Sequence, residues 1–162
     1  MSQTNELEIM ERIALDLERV EESLASSFNT GVEDFNALIR PLSAAGGKRL
    51  RAQLCLLIAN AGTSIERQRV KIAEAVEMLH LATLIHDDVL DQAEIRRGED
   101  TIHMHKGNKV AILSGDYLFA KAFKIVSEMT NMKYLQVFSH IITCLVEGEF
   151  MQMEDVYRID QG

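Results

Sequence analysis

The stretch Glu77-Met78-Leu79-His80-Leu81-Ala82-Thr83-Leu84-Ile85-His86-Asp87-Asp88-Val89-Leu90-Asp91 decides how this chain is read. Its apolar residues fall on several sides of a 3.6-residue turn, which predicts a central helix. On that helix His80, Leu84, Asp87 and Asp91 recur at steps of four, three and four and share one face, with Asp88 at its edge. At about 1.5 Å rise per residue, Asp87 and Asp91 are roughly 6 Å apart along the axis. Adjacent acids at a helix end are often no more than a solvated terminus. Here they stand at the negative end of the helix dipole, where carboxylates repel one another unless a cation neutralises them. Mg²⁺ takes oxygen ligands, commonly one or two carboxylates together with substrate phosphate oxygens and water. Arg96-Arg97-Gly98 follows, two guanidinium forks suited to phosphate. The prediction is a Mg²⁺–diphosphate site built on Asp87, Asp88 and Asp91. His80, two turns before Asp87 on the same face, is read as a ligand-binding residue, and His86, off that face, as structural.

A length of 162 residues is enough for one domain with a real core. Apolar residues make up 47 % and charged residues 26 %, as in ordinary soluble globular proteins. The single proline, Pro41, and the lack of alternating Val/Ile/Thr runs predict an all-α chain. No apolar run reaches the ~20 residues that span a bilayer, and the N-terminus has no signal-like apolar segment, so a cytoplasmic location is expected. Cys55 and Cys144 lie far apart in apolar helical stretches and are expected as buried free thiols. The net charge of −8 disfavours nucleic acid, whose backbone is held by clustered Lys and Arg. A small anionic ligand depends only on the local cluster.

Working outward, residues 5–27 form an amphipathic pattern that reads as a surface or subunit-contact helix. A shorter helix is expected over 32–39, broken by Pro41. Ala44-Ala45-Gly46-Gly47-Lys48-Arg49-Leu50-Arg51 then combines two glycines with the start of an apolar helix over 50–61. Glycine permits close backbone approach, and helix N-terminal amides suit an anion. Lys48 and Arg51, three apart, could grip one diphosphate together. A plain glycine helix start with solvated basic residues fits the same pattern. Thr63 or Ser64 is expected to cap the central helix. Residues 93–101 read as a charged loop, and 102–108 as a short helical or irregular piece. Further helices are expected over 109–128, with Leu113, Tyr117, Ala120 and Phe123 as core, and over 132–157, with Tyr134, Phe138, Ile141, Leu145 and Gly148 on one face. Gly115-Asp116 marks close packing or a bend.

Taken together, these stretches resemble the N-terminal half of an all-trans polyprenyl diphosphate synthase. The resemblance rests on Gly46-Gly47-Lys48-Arg49-Leu50-Arg51, Glu77-x-x-His80, His86-Asp87-Asp88-x-x-Asp91 and Arg96-Arg97-Gly98, with support from Gly115-Asp116-Tyr117-Leu118 and Gly148-Glu149-x-x-Gln152. It implies an isoprenoid-synthase helical bundle, with residues 1–162 forming about the first half of a single domain. It further implies that Asp87, Asp88 and Asp91 hold Mg²⁺ against the diphosphate of an allylic substrate, which Arg96 also contacts. Lys48, Arg51, His80 and Arg97 would hold the diphosphate of isopentenyl diphosphate. Ala82 and Thr83 would floor the apolar tunnel, and their small size implies a product longer than fifteen carbons. Ala52 and Asp100 replace prolines common in the family. The family's second aspartate-rich motif is absent from this chain, so a second half or a partner chain carrying it, in a homo- or hetero-oligomer, is expected.

A terpene cyclase also uses aspartates of this type but has no need of a second diphosphate pocket, which Gly46–Arg51 and Arg97 would form. A non-catalytic helical subunit that regulates or scaffolds a partner synthase is the alternative from a different class. A metal phosphohydrolase built on His86-Asp87 finds no supporting His/Asp set.

Overall fold

Helix α4 (Glu66–Leu90) is the element on which the others are assembled. In a computed structural model of the chain it buries Ala73, Ala75, Met78, Leu79, Ala82 and Ile85. These point to more than one side, so neighbours must cover the helix from several directions. The structure describes residues 3–44, 47–62 and 65–159. Before α4 come α1 (Gln3–Ser27), α2 (Glu33–Ala44) and α3 (Leu50–Asn60). After it come the strands β1 (Ile95–Arg96) and β2 (Glu99–Asp100), then α5 (Ile102–Lys106), α6 (Asn108–Ser127) and α7 (Met132–Ile159). The chain divides within α6 into two compact units, one up to Ile125 and one from Val126.

In the first unit, α1 and α3 pack on α4 and on each other, α2 lies on α1, and α5 lies on α4. The stripe of α1 is therefore internal at Ile13, Val20 and Leu24, all buried, and is not only a surface or subunit contact. Asp16 shares that stripe and is fully buried. Arg69 Nε of α4 donates to its Oδ2 at 2.7 Å, and Arg19 Nη1 donates to its Oδ1 at 3.2 Å. The Ser23 and Ser27 hydroxyls donate to Glu74 at 2.7 and 2.8 Å. Buried charge tolerates this position only because every step is paired.

Several expectations need correction. Helix α2 continues through Pro41 to Ala44. The ring fixes a helical φ and removes a single backbone donor, so one further turn can follow. The charged stretch over 93–101 contains a hairpin, with Ile95 opposite Asp100 and Arg96 opposite Glu99. Its two-residue turn places Arg97 at φ 55° and Gly98 at φ 87°, the left-handed pair that matches strand twist. The expected caps Thr63 and Ser64 lie outside the described residues, as does Gly46; extended Ile65 precedes α4.

On α6 the buried face is Ala111, Ser114, Gly115, Leu118 and Ala122, while Leu113 and Ala120 are exposed and Tyr117 and Phe123 are half-buried. Gly115 leaves the space on α6 into which the His86 side chain of α4 reaches. The His86 ring occupies the space that a Cβ on Gly115 would need. Its Nε2 donates to the Ile112 carbonyl at 3.0 Å, and its ring centroid is 5.5 Å from that of Phe119. Cys55 is half-buried, which pushes its thiol pKa up, but Cys144 is exposed and not buried as expected. In the second unit α7 buries Phe138 and exposes Ile141 and Leu145. Among the described residues no helix is long and apolar enough to cross a membrane.

Candidate functional site

The first turn of α3 is shaped by Arg49, which adopts left-handed φ 46° and ψ 37° immediately before Leu50. Its guanidinium turns inward. Nε and Nη2 donate to Glu21 of α1 at 2.6 and 3.0 Å, and Nη1 stands 3.7 Å from Glu77 Oε2 of α4. Glu77 Oε1 accepts the backbone N–H of Ala52 at 3.0 Å. One of the α3 N-terminal amides is therefore already occupied by a buried carboxylate. Lys48 and Arg51, on either side of Arg49, are exposed.

Arg51 reaches α4. Its Nη1 lies 3.1 Å from His80 Nε2. Arginine can only donate, so Nε2 accepts and the imidazole is neutral, with its proton on Nδ1. Partial burial, reinforced by the charge of Arg51, holds the His80 pKa below the ordinary histidine value; Glu77 opposes this, and Arg97 and Arg96 add to it. Arg97 also reaches the turn before α3, where its Nη2 would stand 3.2 Å from a Cβ built on Gly47. The glycine leaves room for that guanidinium. Arg51, His80 and Arg97 thus meet where α3, α4 and the hairpin converge. The exposed Lys48 adjoins them in sequence.

The acids of α4 part company. Asp88 is buried and accepts from Arg96 Nε at 2.7 Å. One residue turns a helix by about 100°, so Asp88 faces the hairpin while Asp87 and Asp91 lie on the neighbouring face. Asp87 is half-buried and Asp91 exposed, one turn apart at the end of α4. No basic residue stands in that last turn. Among the described residues no three His, Cys, Asp or Glu side chains are grouped to hold a metal. Asp87 and Asp91 alone still suit a hard divalent ion that draws its remaining oxygens from substrate and water.

Beside this cluster is a cavity of about 400 Å³, walled by Leu38 and Pro41 of α2, Leu81 and Ile85 of α4, and Arg96 and Arg97 of the hairpin. Ala82 and Thr83 do not line it. Ala82 is fully buried, and the half-buried Thr83 donates its hydroxyl to the His80 carbonyl at 2.8 Å. Arg49 and Glu77 belong to the motifs that carry the resemblance, but their ion pairing with each other and with Glu21 is not foreseeable from the motifs alone. The available signal was Glu77, three residues before His80 and hence on the face that meets the basic turn.

The chain belongs to the polyprenyl synthetase family, whose model matches residues 32–161. It is 39 % identical over 147 residues to heptaprenyl diphosphate synthase component 2 of Geobacillus stearothermophilus, covering 90 % of this chain and 46 % of that protein. It is 34 % identical over 148 residues to octaprenyl diphosphate synthase of Escherichia coli, covering 91 % and 46 %. Its fold matches the crystal structure of a polyprenyl synthase from Caulobacter crescentus complexed with calcium and isoprenyl diphosphate. That match has a TM-score of 0.82 at 36 % identity and covers 88 % of this chain and 45 % of the other. The chain spans less than half the length of these relatives.

Proposed function

We propose that this chain carries the diphosphate-binding wall of a trans-prenyltransferase, which condenses isopentenyl diphosphate with an allylic diphosphate to give a polyprenyl diphosphate longer than fifteen carbons. The observation that carries this reading is the convergence of Arg51, His80 and Arg97 beside a pair of carboxylates one turn apart. Membership of the polyprenyl synthetase family supports it.

Lys48, Arg51, neutral His80 and Arg97 hold the diphosphate of isopentenyl diphosphate. Arg96, kept in orientation by Asp88, contributes positive charge to the allylic diphosphate. Asp87 and Asp91 would hold Mg²⁺, which would supply positive charge against the negative charge that grows on a departing diphosphate; Asp88 would assist through Arg96. The allylic C–O bond breaks and diphosphate leaves with the bonding pair, the isopentenyl double bond attacks the carbocation, and the proton lost to restore the double bond passes to the released diphosphate. Apolar helix faces keep water from the cation. The whole activity belongs to this wall together with the remainder of the family's domain, whether in one polypeptide or in a partner chain within a cytoplasmic oligomer. Residues 1–162 then form part of a single isoprenoid-synthase domain.

Calorimetry with farnesyl thiodiphosphate, an allylic analogue that ionises slowly, tests this reading. Binding is expected in Mg²⁺, with at least about a tenfold loss on chelation or in Asp87→Asn/Asp91→Asn. Equal affinity with and without Mg²⁺, or unchanged affinity in the variant, would contradict it. A purely scaffolding subunit would bind no analogue at all.

A further inference from the structure

We propose that Arg49 is a positioning residue of the diphosphate wall: its buried bridge between Glu21 and Glu77 fixes the turn that presents Lys48 and Arg51. The proposal rests on the diphosphate reading above and extends it to a residue outside the ligand set.

Arg49 stands in the middle of a basic run, yet it is only 6 % exposed while both cationic neighbours face solvent. It holds a left-handed backbone that non-glycine residues seldom adopt, so the surroundings must impose it. The imposing contacts come from two other helices. Glu21 of α1 takes two parallel N–H bonds from the guanidinium, a geometry lysine cannot reproduce. That carboxylate also keeps the Arg49 pKa above its ordinary value.

Glu77 is the joint. One oxygen faces Arg49 and the other accepts the Ala52 amide, the residue directly after Arg51. Three residues further along α4 is His80, the partner of Arg51. A single carboxylate thus ties the α3 turn to the helix that bears His80, and Arg49 balances its buried charge. The turn is closed from outside by Gln53, whose Nε2 donates to the Lys48 carbonyl at 2.6 Å and whose backbone N–H donates to the Arg49 carbonyl at 2.8 Å. Glu77 and Gln53 thus hold the backbone at Lys48, Arg49 and Ala52, the Arg49 side chain is held by Glu21 and Glu77, and none of these contacts uses the side chains of Lys48 and Arg51.

The molecule supplies its own control. Arg69 and Asp16 form a second buried ion pair between α1 and α4, two turns away from Glu77 along α4 and remote from the basic turn. Arg69→Lys is expected to lower stability through that pair, which lies outside the turn.

The test is calorimetric binding of inorganic pyrophosphate to the 162-residue chain and its variants. Arg49→Lys is expected to lower pyrophosphate affinity about tenfold, and by less than about twofold once Lys48→Ala and Arg51→Ala are both present, because Arg49 acts only through the arrangement of those two side chains. Arg69→Lys is expected to leave affinity within about twofold while lowering the thermal midpoint. Should Arg49→Lys not fold, the same cycle is run with Glu21→Gln, which keeps the arginine and its Glu77 contact. An unchanged affinity in the Arg49 or Glu21 variant overturns the proposal, as does equal loss in Arg69→Lys or full additivity with the Lys48→Ala/Arg51→Ala pair. Failure of the unsubstituted chain to bind pyrophosphate overturns the diphosphate reading itself, and Arg49's role with it.

Discussion

His80 and Gly115 each make a separate physical statement at the residue scale. His80 accepts a hydrogen bond from a permanent cation and is partly buried, so its neutral form is favoured. Its folded pKa lies below its unfolded one. Between the two, the unfolded chain binds more protons, so stability rises with pH in that window and is lost as pH falls through the folded pKa. Pyrophosphate beside Arg51 and Arg97 offsets their charge and should raise the His80 pKa. NMR titration is expected to find it depressed in the free chain and shifted upward with ligand; a ligand-insensitive value would remove His80 from the site. Gly115 lies where the ring of His86 leaves no room for a side chain. Alanine there gains about 1 kcal/mol of helix propensity, but overpacking costs about 1–3 kcal/mol and the His86–Ile112 hydrogen bond is put at risk as well. The second effect wins, so Gly115→Ala should lower the thermal midpoint; a midpoint at or above the parent's would contradict the contact.

Helix α4 carries three different jobs on three of its faces. In the proposed function His80, Asp87 and Asp91 serve the anion and metal; Leu81, Ile85 and Asp88 border the cavity and hairpin, and His86 seats α6. That division sets how a tunnel variant should be built. Ala82 is fully buried, so a phenylalanine there disturbs the fold before it can shorten any product. Thr83 is half-buried and is the better position. Thr83→Phe in the complete synthase is expected to shift product toward shorter chains, read by chromatography of the dephosphorylated alcohols; an unchanged distribution would exclude a tunnel role. Much of this helix was legible beforehand, because a 3.6-residue period places His80 and the aspartates without knowledge of any neighbour. What periodicity could not say is which neighbour meets which face. Leu113 and Phe123 read as core by hydrophobicity, whereas the buried face of α6 is mostly small, with Ala111, Ser114, Gly115 and Ala122 beside Leu118. Nothing in the sequence marks Arg49 or Asp16 as internal, and it is their partners 28 and 53 residues away in sequence that make them so.

Across the whole molecule, the seam between α1 and α4 is charged as well as apolar, with Asp16–Arg69 at one place and Glu21–Arg49–Glu77 at another. Such pairs add little net stability compared with apolar packing, but removing one partner costs about 3–5 kcal/mol, so they fix how the helices meet. The fold in turn fixes how the basic turn, the hairpin and the end of α4 face one another, and the proposed activity depends on that arrangement. The most direct measurement is chain elongation with labelled isopentenyl diphosphate, Mg²⁺ and farnesyl diphosphate. This chain would be supplied with a chain carrying the family's second aspartate-rich motif. The account predicts labelled products longer than fifteen carbons that vanish with Asp87→Asn/Asp91→Asn or Arg51→Ala. Product formation that is indifferent to those substitutions, or no elongation in the assembled pair, would contradict it.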